Sequence, residues 1–339
     1  MRKLIVRDSR NAERIYPYIG GEEVNTEPSQ SHRRWVIDFN DFPLRRARSS
    51  RTWSAMTEAD RARARSLGIV PLDYPGPTAA DWPDLLDVVE RLVKPERDRQ
   101  KRPALRERWW QYADKRPGLR SATKDLHAVL AITQTSPHLA VSRLPTGMVF
   151  DQKLVVIADP SAAMFSNLQA RIHEVWARSF ASTMKDDLSY THSDCFQTYP
   201  FPGNDFGIHS IGADYYLCRA QIMLAHTQGL TKTYNRFHDL TDRSPDIERL
   251  RDLHHAMDVA VLRAYGWDDL ADRAAPEFLT EAAEPDHRYQ GRLFWPAAFR
   301  DEVLARLLAL NAERAAAERA AGLTPALHAV EAEALEETE

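Results

Sequence analysis

The sequence predicts an α+β chain: a mixed first region over residues 1–207, with a small antiparallel sheet and long helices, then a mainly helical region over 208–339. Two observations lead there. Short runs with strand character are confined to the first 200 residues, and beyond Ile208 the apolar residues recur at helical spacing. A third observation, the charge distribution, divides the chain in the same sense. Residues 1–120 hold 25 Lys/Arg against 18 Asp/Glu, a net of +7, whereas residues 231–339 hold 13 against 22, a net of −9. The overall charge of −4 is an average over these unlike parts.

Taken in order, Arg34-Trp35-Val36-Ile37-Asp38-Phe39 is aromatic and β-branched and predicts a strand. Thr57–Leu67 predicts a helix stopped by Gly68, and the proline-rich stretch Leu72–Pro83 predicts a loop. In Asp84–Val93, Leu85, Val88, Val89 and Leu92 fall on one helical face. Ala128–Thr133, Leu139–Leu144 and Lys153–Ala158, separated by Pro- or Gly-containing turns, predict an antiparallel meander. Ala162–Thr183 reads as one long helix and Leu188–Tyr199 as a strand. Helices follow over Gly212–His226, Pro245–Tyr265 and Pro296–Ala320; Ser244-Pro245 starts the middle one and Gly266 ends it. The region boundary is expected near residues 203–210. Gly229 to His238, with little evident period, reads as an ordered polar loop for interdomain packing or ligand contact.

Several chemistries lack their residues. Two cysteines, Cys195 and Cys218, make no disulfide framework and no CxxC pair. No apolar run reaches membrane-spanning length and the N-terminal apolar stretch is too short for a signal peptide, so no membrane association and a cytoplasmic location are expected. Neither GxGxxG nor GxxxxGK[ST] occurs. His173-Glu174 has Ala177 where a zincin needs its second His, so the pair reads as a structural element of a helix. Cys195, with His192 and Asp194 nearby, reads as a packed small hydrophobe rather than a nucleophile. Asn40-Asp41-Phe42-Pro43 has the wrong order to hold a flipped amino-bearing base, and Pro245-Asp246-Ile247-Glu248 starts a helix rather than closing a nuclease strand. No catalytic residue and no metal site are expected. An intact enzyme using His173, Glu174 or Cys195 is the rival reading.

The densest chemical feature is Arg91–Arg120, with eleven Lys/Arg against four acids and Trp109, Trp110 and Tyr112 among them. Such cations neutralise phosphates and release counterions, and guanidinium forks can read guanine edges. The same run could be a solvated face, and the Trp pair a packing anchor.

These strings also carry a resemblance. Arg34–Phe39, Val93-Lys94-Pro95-Glu96-Arg97-Asp98, Trp109-Trp110-Gln111-Tyr112, Arg171-Ile172-His173-Glu174-Val175-Trp176-Ala177 and Cys195-Phe196-Gln197-Thr198-Tyr199-Pro200-Phe201-Pro202 follow one another in a familiar order. The series resembles the target-recognition region of type IIL (MmeI-like) restriction–modification enzymes and related adenine-specific methyltransferases of phage-exclusion systems. Gly229–Asp239, Leu253–Trp267 and Asp301–Arg314 resemble the helical C-terminal region of the same proteins. The likeness spans about residues 13–320.

The resemblance implies a target-recognition domain over 1–207 that binds double-stranded DNA, and a helical domain over 208–339 that docks a partner. The charge split and the motif series together lead to an expectation of phosphate contacts from Arg97, Arg99, Lys101, Arg102, Arg106 and Arg108, with Lys124, Arg143 and Lys153 as candidates near strand ends. The family's catalytic motif and cofactor site have no counterpart here. Adenine-N6 methylation and S-adenosylmethionine are therefore expected on a separate methyltransferase subunit, with restriction–modification or phage defence as the setting. The alternatives are a protein-interaction module whose basic strip binds an acidic partner, and a truncated methyltransferase remnant.

Overall fold

The computed structural model describes residues 1–184, 187–203 and 207–322. Residues 204–206, within the expected boundary, and 323–339, within the expected helical domain, lie outside the described residues. The chain divides into two compact units. One comprises 1–20, 32–127 and 145–151; the other comprises 21–31, 128–144 and 152 onward. This division differs from a single sequential break near 203–210: residues 128–144 and 152–180 group with the later helices rather than with 32–127.

In the first unit, Ile15–Ile19 is the middle of three strands. It runs antiparallel to Arg34–Ile37, with Ile15 opposite Ile37 and Tyr18 opposite Arg34, and parallel to Val149–Phe150. Arg45–Ala47 and Ile69–Pro71 form a separate parallel pair. Between them the helix Glu58–Leu67 starts where the Thr57 hydroxyl accepts a hydrogen bond from the Asp60 amide, and stops at Gly68 at φ +76°, as expected. Helix Pro83–Leu92 buries Leu85 and Val89, while the expected face member Leu92 is exposed. The core gathers Ile15, Phe39, Trp82, Leu85, Val89, Trp109 and Trp110.

In the second unit, Ala128–Thr133 is buried at every position and lies between Val141–Pro145 and Leu154–Ile157. The first strand is thus central, which corrects the meander order. The single helix expected over 162–183 is two helices, Ala162–Gln169 and Arg171–Phe180, separated by extended backbone at Ala170 (φ −65°, ψ 151°). The strand expected over 188–199 is only Asp187–Ser189, followed by a wide helical turn over His192–Gln197. The Thr191 hydroxyl accepts from the Asp194 amide and donates to the Asp194 carboxylate, so a Thr-x-x-Asp cap turns the chain. Residues 229–238 are not a loop either: Leu230–His238 is a helix that buries Leu230, Thr233, Tyr234 and Phe237.

The longer helices that follow are Ile208–Ala225, Pro245–Ala264 and Ala297–Ala320, close to expectation. Ser244 precedes the second of these, but its hydroxyl bonds Asp242 rather than capping. Glu277–Leu279 and Arg292–Phe294 add an antiparallel pair. Trp176, Val261, Leu262, Phe294, Trp295, Val303 and Leu307 form the core among these helices.

Candidate nucleic-acid interface

The basic strip takes its shape from proline-started short helices and two buried tryptophans. Lys94–Arg97, Pro103–Glu107 and Pro117–Thr123 are each too short to stand alone, so tertiary anchors must hold them. Trp110 Nε1 and Gln111 Nε2 both donate to the Phe42 carbonyl, at 2.9 and 2.8 Å. Trp109 packs edge-on to Trp110 and carries the Lys94 ammonium over its ring at 5.0 Å. The tandem tryptophans are therefore the packing anchor of the strip.

Arg106 closes the intervening loop by donating to the carbonyls of Gln100 (2.7 Å) and Lys101 (3.0 Å). That bond spends part of its fork on structure. Arg99, Lys101 and Arg102 project from this closed loop and are exposed, and Arg97 and Arg108 are half-buried at its two ends. Among the described residues none of these five has a carboxylate within ion-pair distance. By contrast Arg91, Lys94, Lys115 and Arg120 are paired, with Asp87, Glu90, Asp41 and Asp38. Arg97 faces Tyr112, whose hydroxyl is pushed up to about 12 by burial and by the Asp38 charge, against the opposing effect of Arg97. The strip is a built structure with a residue of unneutralised positive charge.

The outlying candidates are distributed otherwise. Lys124 is exposed in the first unit, 3.9 Å from Asp125. Arg143 and Lys153 belong to the second unit, on either side of the central strand Ala128–Thr133. Arg143 Nε reaches the Pro160 carbonyl at 3.4 Å, and the Lys153 carbonyl accepts from the Gln134 amide. The dense-run reading passed over exposed Arg45, Arg48 and Arg63 in the first unit. Strand alternation at Arg45-Arg46-Ala47 would have marked Arg45 as facing away from Arg46.

The rival catalytic residues are interior structure. His173 Nε2 lies 3.0 Å from the Tyr190 hydroxyl, its ring packs on Tyr199, and burial lowers its pKa to about 3. Burial alone would raise the Glu174 carboxyl, but the Arg178 and Arg292 guanidiniums hold it below its ordinary value; Arg178 Nε donates to it at 2.8 Å. Cys195 is fully buried, burial pushes its thiol up, and its sulfur lies 3.9 Å from the Ala177 carbonyl oxygen. Among the described residues no group of three His, Cys, Asp or Glu side chains is placed to hold a metal ion. No helix among them is long and apolar enough to cross a membrane.

Residues 79–203 match the family model of the MmeI target recognition domain. No curated protein matches the sequence. Among solved structures, the chain is similar to the type IIL restriction–modification enzyme MmeI, determined in complex with DNA. The superposition has a TM-score of 0.52 at 14% identity, and covers 93% of this chain but 33% of that one. The chain thus spans about a third of the length of the enzyme it matches.

Proposed function

We propose, from the premise that residues 79–203 form an MmeI-like target recognition domain, that this chain recognises sequence in double-stranded DNA for a restriction–modification system. The observation that carries the reading is the strip Arg97–Arg108 inside the matched span: Arg99, Lys101 and Arg102 are exposed and, among the described residues, have no carboxylate partner, on a loop fastened to two buried tryptophans. A loop fastened before the duplex arrives spares the backbone's share of the ordering cost, and its exposed cations suit phosphate contact. Similarity to a protein solved with DNA supports the same partner.

Adenine-N6 methylation we assign to a separate methyltransferase subunit, which would also hold S-adenosylmethionine. The support is that the family match is to a target recognition domain, and that the chain spans 33% of the length of the enzyme it resembles. The mainly helical 208–339 region is the proposed docking domain, and Lys124, Arg143 and Lys153 remain candidate phosphate contacts.

The test is duplex binding by fluorescence anisotropy from 50 to 200 mM salt. The chain should bind with a steep salt dependence and a preference among sequences. Replacing Arg99, Lys101 and Arg102 together by Ala should reduce the slope of log K against log salt by about 2.7, at roughly 0.9 per phosphate contact. Binding that is absent, or indifferent to salt, would overturn the reading.

A further inference from the structure

A second exposed cationic segment, outside the matched residues 79–203, springs from the same anchor as the basic strip. The Arg45 amide donates to the Gly68 carbonyl at 3.1 Å. Gly68 lies so close beneath the Trp110 ring that a Cβ there would sit 2.3 Å from Trp110 Cη2, and Leu44 packs against the same point. Trp110 and Gln111, in turn, both bond the Phe42 carbonyl. Residues 42–45 and 108–111 therefore share one root, from which one chain direction leads to Arg45–Arg51 and the other to Arg97–Arg108.

The segment after the strand Arg45–Ala47 is a polar loop tied at several points. The Trp53 amide donates to both oxygens of Asp73 at 2.9 Å, and its ring packs edge-on to Tyr74. Arg61 Nε donates to the Trp53 carbonyl and Nη2 to that of Ser54. Arg51 pairs with Asp60 at 3.3 Å. Between these ties the chain exposes Arg48, Ser49 and Ser50.

The arginines here differ in what they serve. Arg46 turns inward, to Asp81 at 2.7 Å and to the carbonyls of Gly76 and Tyr74. Arg45 and Arg48 are exposed, and among the described residues neither has a hydrogen-bond or ion-pair partner through its side chain. A cation left unpaired on a loop tied at both ends, with serine hydroxyls beside it, matches the donors that grip phosphate oxygens. Continuity with the strip through the Trp110 root favours one extended polyanion over two unrelated ligands.

We propose that Arg45 and Arg48, with the Ser49–Ser50 loop, form a second backbone-gripping element on the DNA duplex, continuous with Arg97–Arg108. This rests on the proposed DNA-reading function and extends it to residues that the family match does not include. The experiment is anisotropy on the full chain with the same duplex and salt series, with a circular-dichroism spectrum for each variant. Arg45→Ala combined with Arg48→Ala should lower the salt slope by about 1.8, and weaken binding severalfold at every sequence tested. Arg46→Ala should change unfolding stability instead.

If Arg99→Ala/Arg102→Ala lowers the slope and Arg45→Ala/Arg48→Ala leaves it unchanged, this inference falls and the DNA-reading function stands. If the unaltered chain shows no salt-dependent duplex binding, both fall. If the Arg45/Arg48 variant loses affinity for polyglutamate but not for duplex, the segment serves an acidic polypeptide and the inference is overturned.

Discussion

Asp258 shows how much one buried carboxylate organises. Its Oδ1 accepts the Arg171 amide at 2.8 Å and its Oδ2 accepts Arg171 Nη1 at 2.5 Å, with both residues almost fully buried. Burial alone would raise its pKa, but the Arg171 guanidinium wins and holds the carboxyl below its ordinary value. Arg171 spends its remaining donors on the Leu293 carbonyl and on His254 Nδ1. Removing one partner of such a pair leaves an uncompensated buried charge, at a cost of about 3–5 kcal/mol. Asp258→Ala should lose stability on that scale in urea unfolding; a loss below about 1 kcal/mol would show the pair to be solvated. The functional candidates contrast with this pair, since Arg99, Lys101 and Arg102 are exposed and, among the described residues, have no carboxylate partner.

At the scale of elements, the break at Ala170 is decided by the same carboxylate. No Gly or Pro marks the position, and the apolar stripe from Phe165 to Phe180 runs across it. Asp258 receives an amide at the start of the second helix, where an uninterrupted helix would have used its own carbonyl. The helix Leu230–His238 was legible in principle, because Leu230, Thr233, Tyr234 and Phe237 stand at i, i+3, i+4 and i+7. Thr and Tyr hid the stripe: Tyr234 is buried with its hydroxyl bonded to Tyr215 and Arg219.

The basic strip depends on its anchor in a way that can be measured. Trp110→Ala should cost about 3–5 kcal/mol as a buried aromatic deletion, and release Arg97–Arg108. Amide exchange across Gln100–Gln111 should quicken well beyond that of the Ala128–Thr133 strand. Equal quickening in both would mean that the tryptophan stabilises the chain globally rather than the strip.

At the scale of the whole molecule, two compact units carry unlike interiors. The first is an aromatic core beneath exposed cations. The second holds a polar centre in which Arg171, Arg178 and Arg292 surround neutral histidines. His254 Nδ1 accepts from Arg171, His238 Nδ1 accepts the Leu293 amide, and His138 Nδ1 lies 3.3 Å from Arg292. A proton on any of these nitrogens would face an existing donor, although at His254 the Asp258 carboxylate, 3.5 Å from Nδ1, works in the opposite sense. Burial lowers all three pKa values, that of His138 to about 4, with Arg292 adding to the effect at His138 and His238 and Arg171 at His254.

The unfolded chain takes up these protons near pH 6.5 and therefore binds more of them than the folded chain below that pH. The stabilisation is complete above pH 6.5 and is lost as pH falls toward 4, by on the order of 3 kcal/mol for His138 alone. Urea midpoints should fall steadily between pH 6.5 and 4. A flat profile there would show that the histidines are accessible in the folded chain.

The sequence by itself determined the α+β class, the helices bounded by local signals such as Thr57 and Gly68, and the strip of cations around Trp109-Trp110. Caps, periodicity and charge density act within a few residues, so they can be read in one dimension. Only the tertiary structure decided the break at Ala170, the central place of Ala128–Thr133 in its sheet, and which arginines are free. Each of these depends on a partner far along the chain: Asp258 for Arg171, Phe42 for Trp110, Asp81 for Arg46. Whether an arginine grips a neighbour or remains for a ligand is settled by what folding brings beside it.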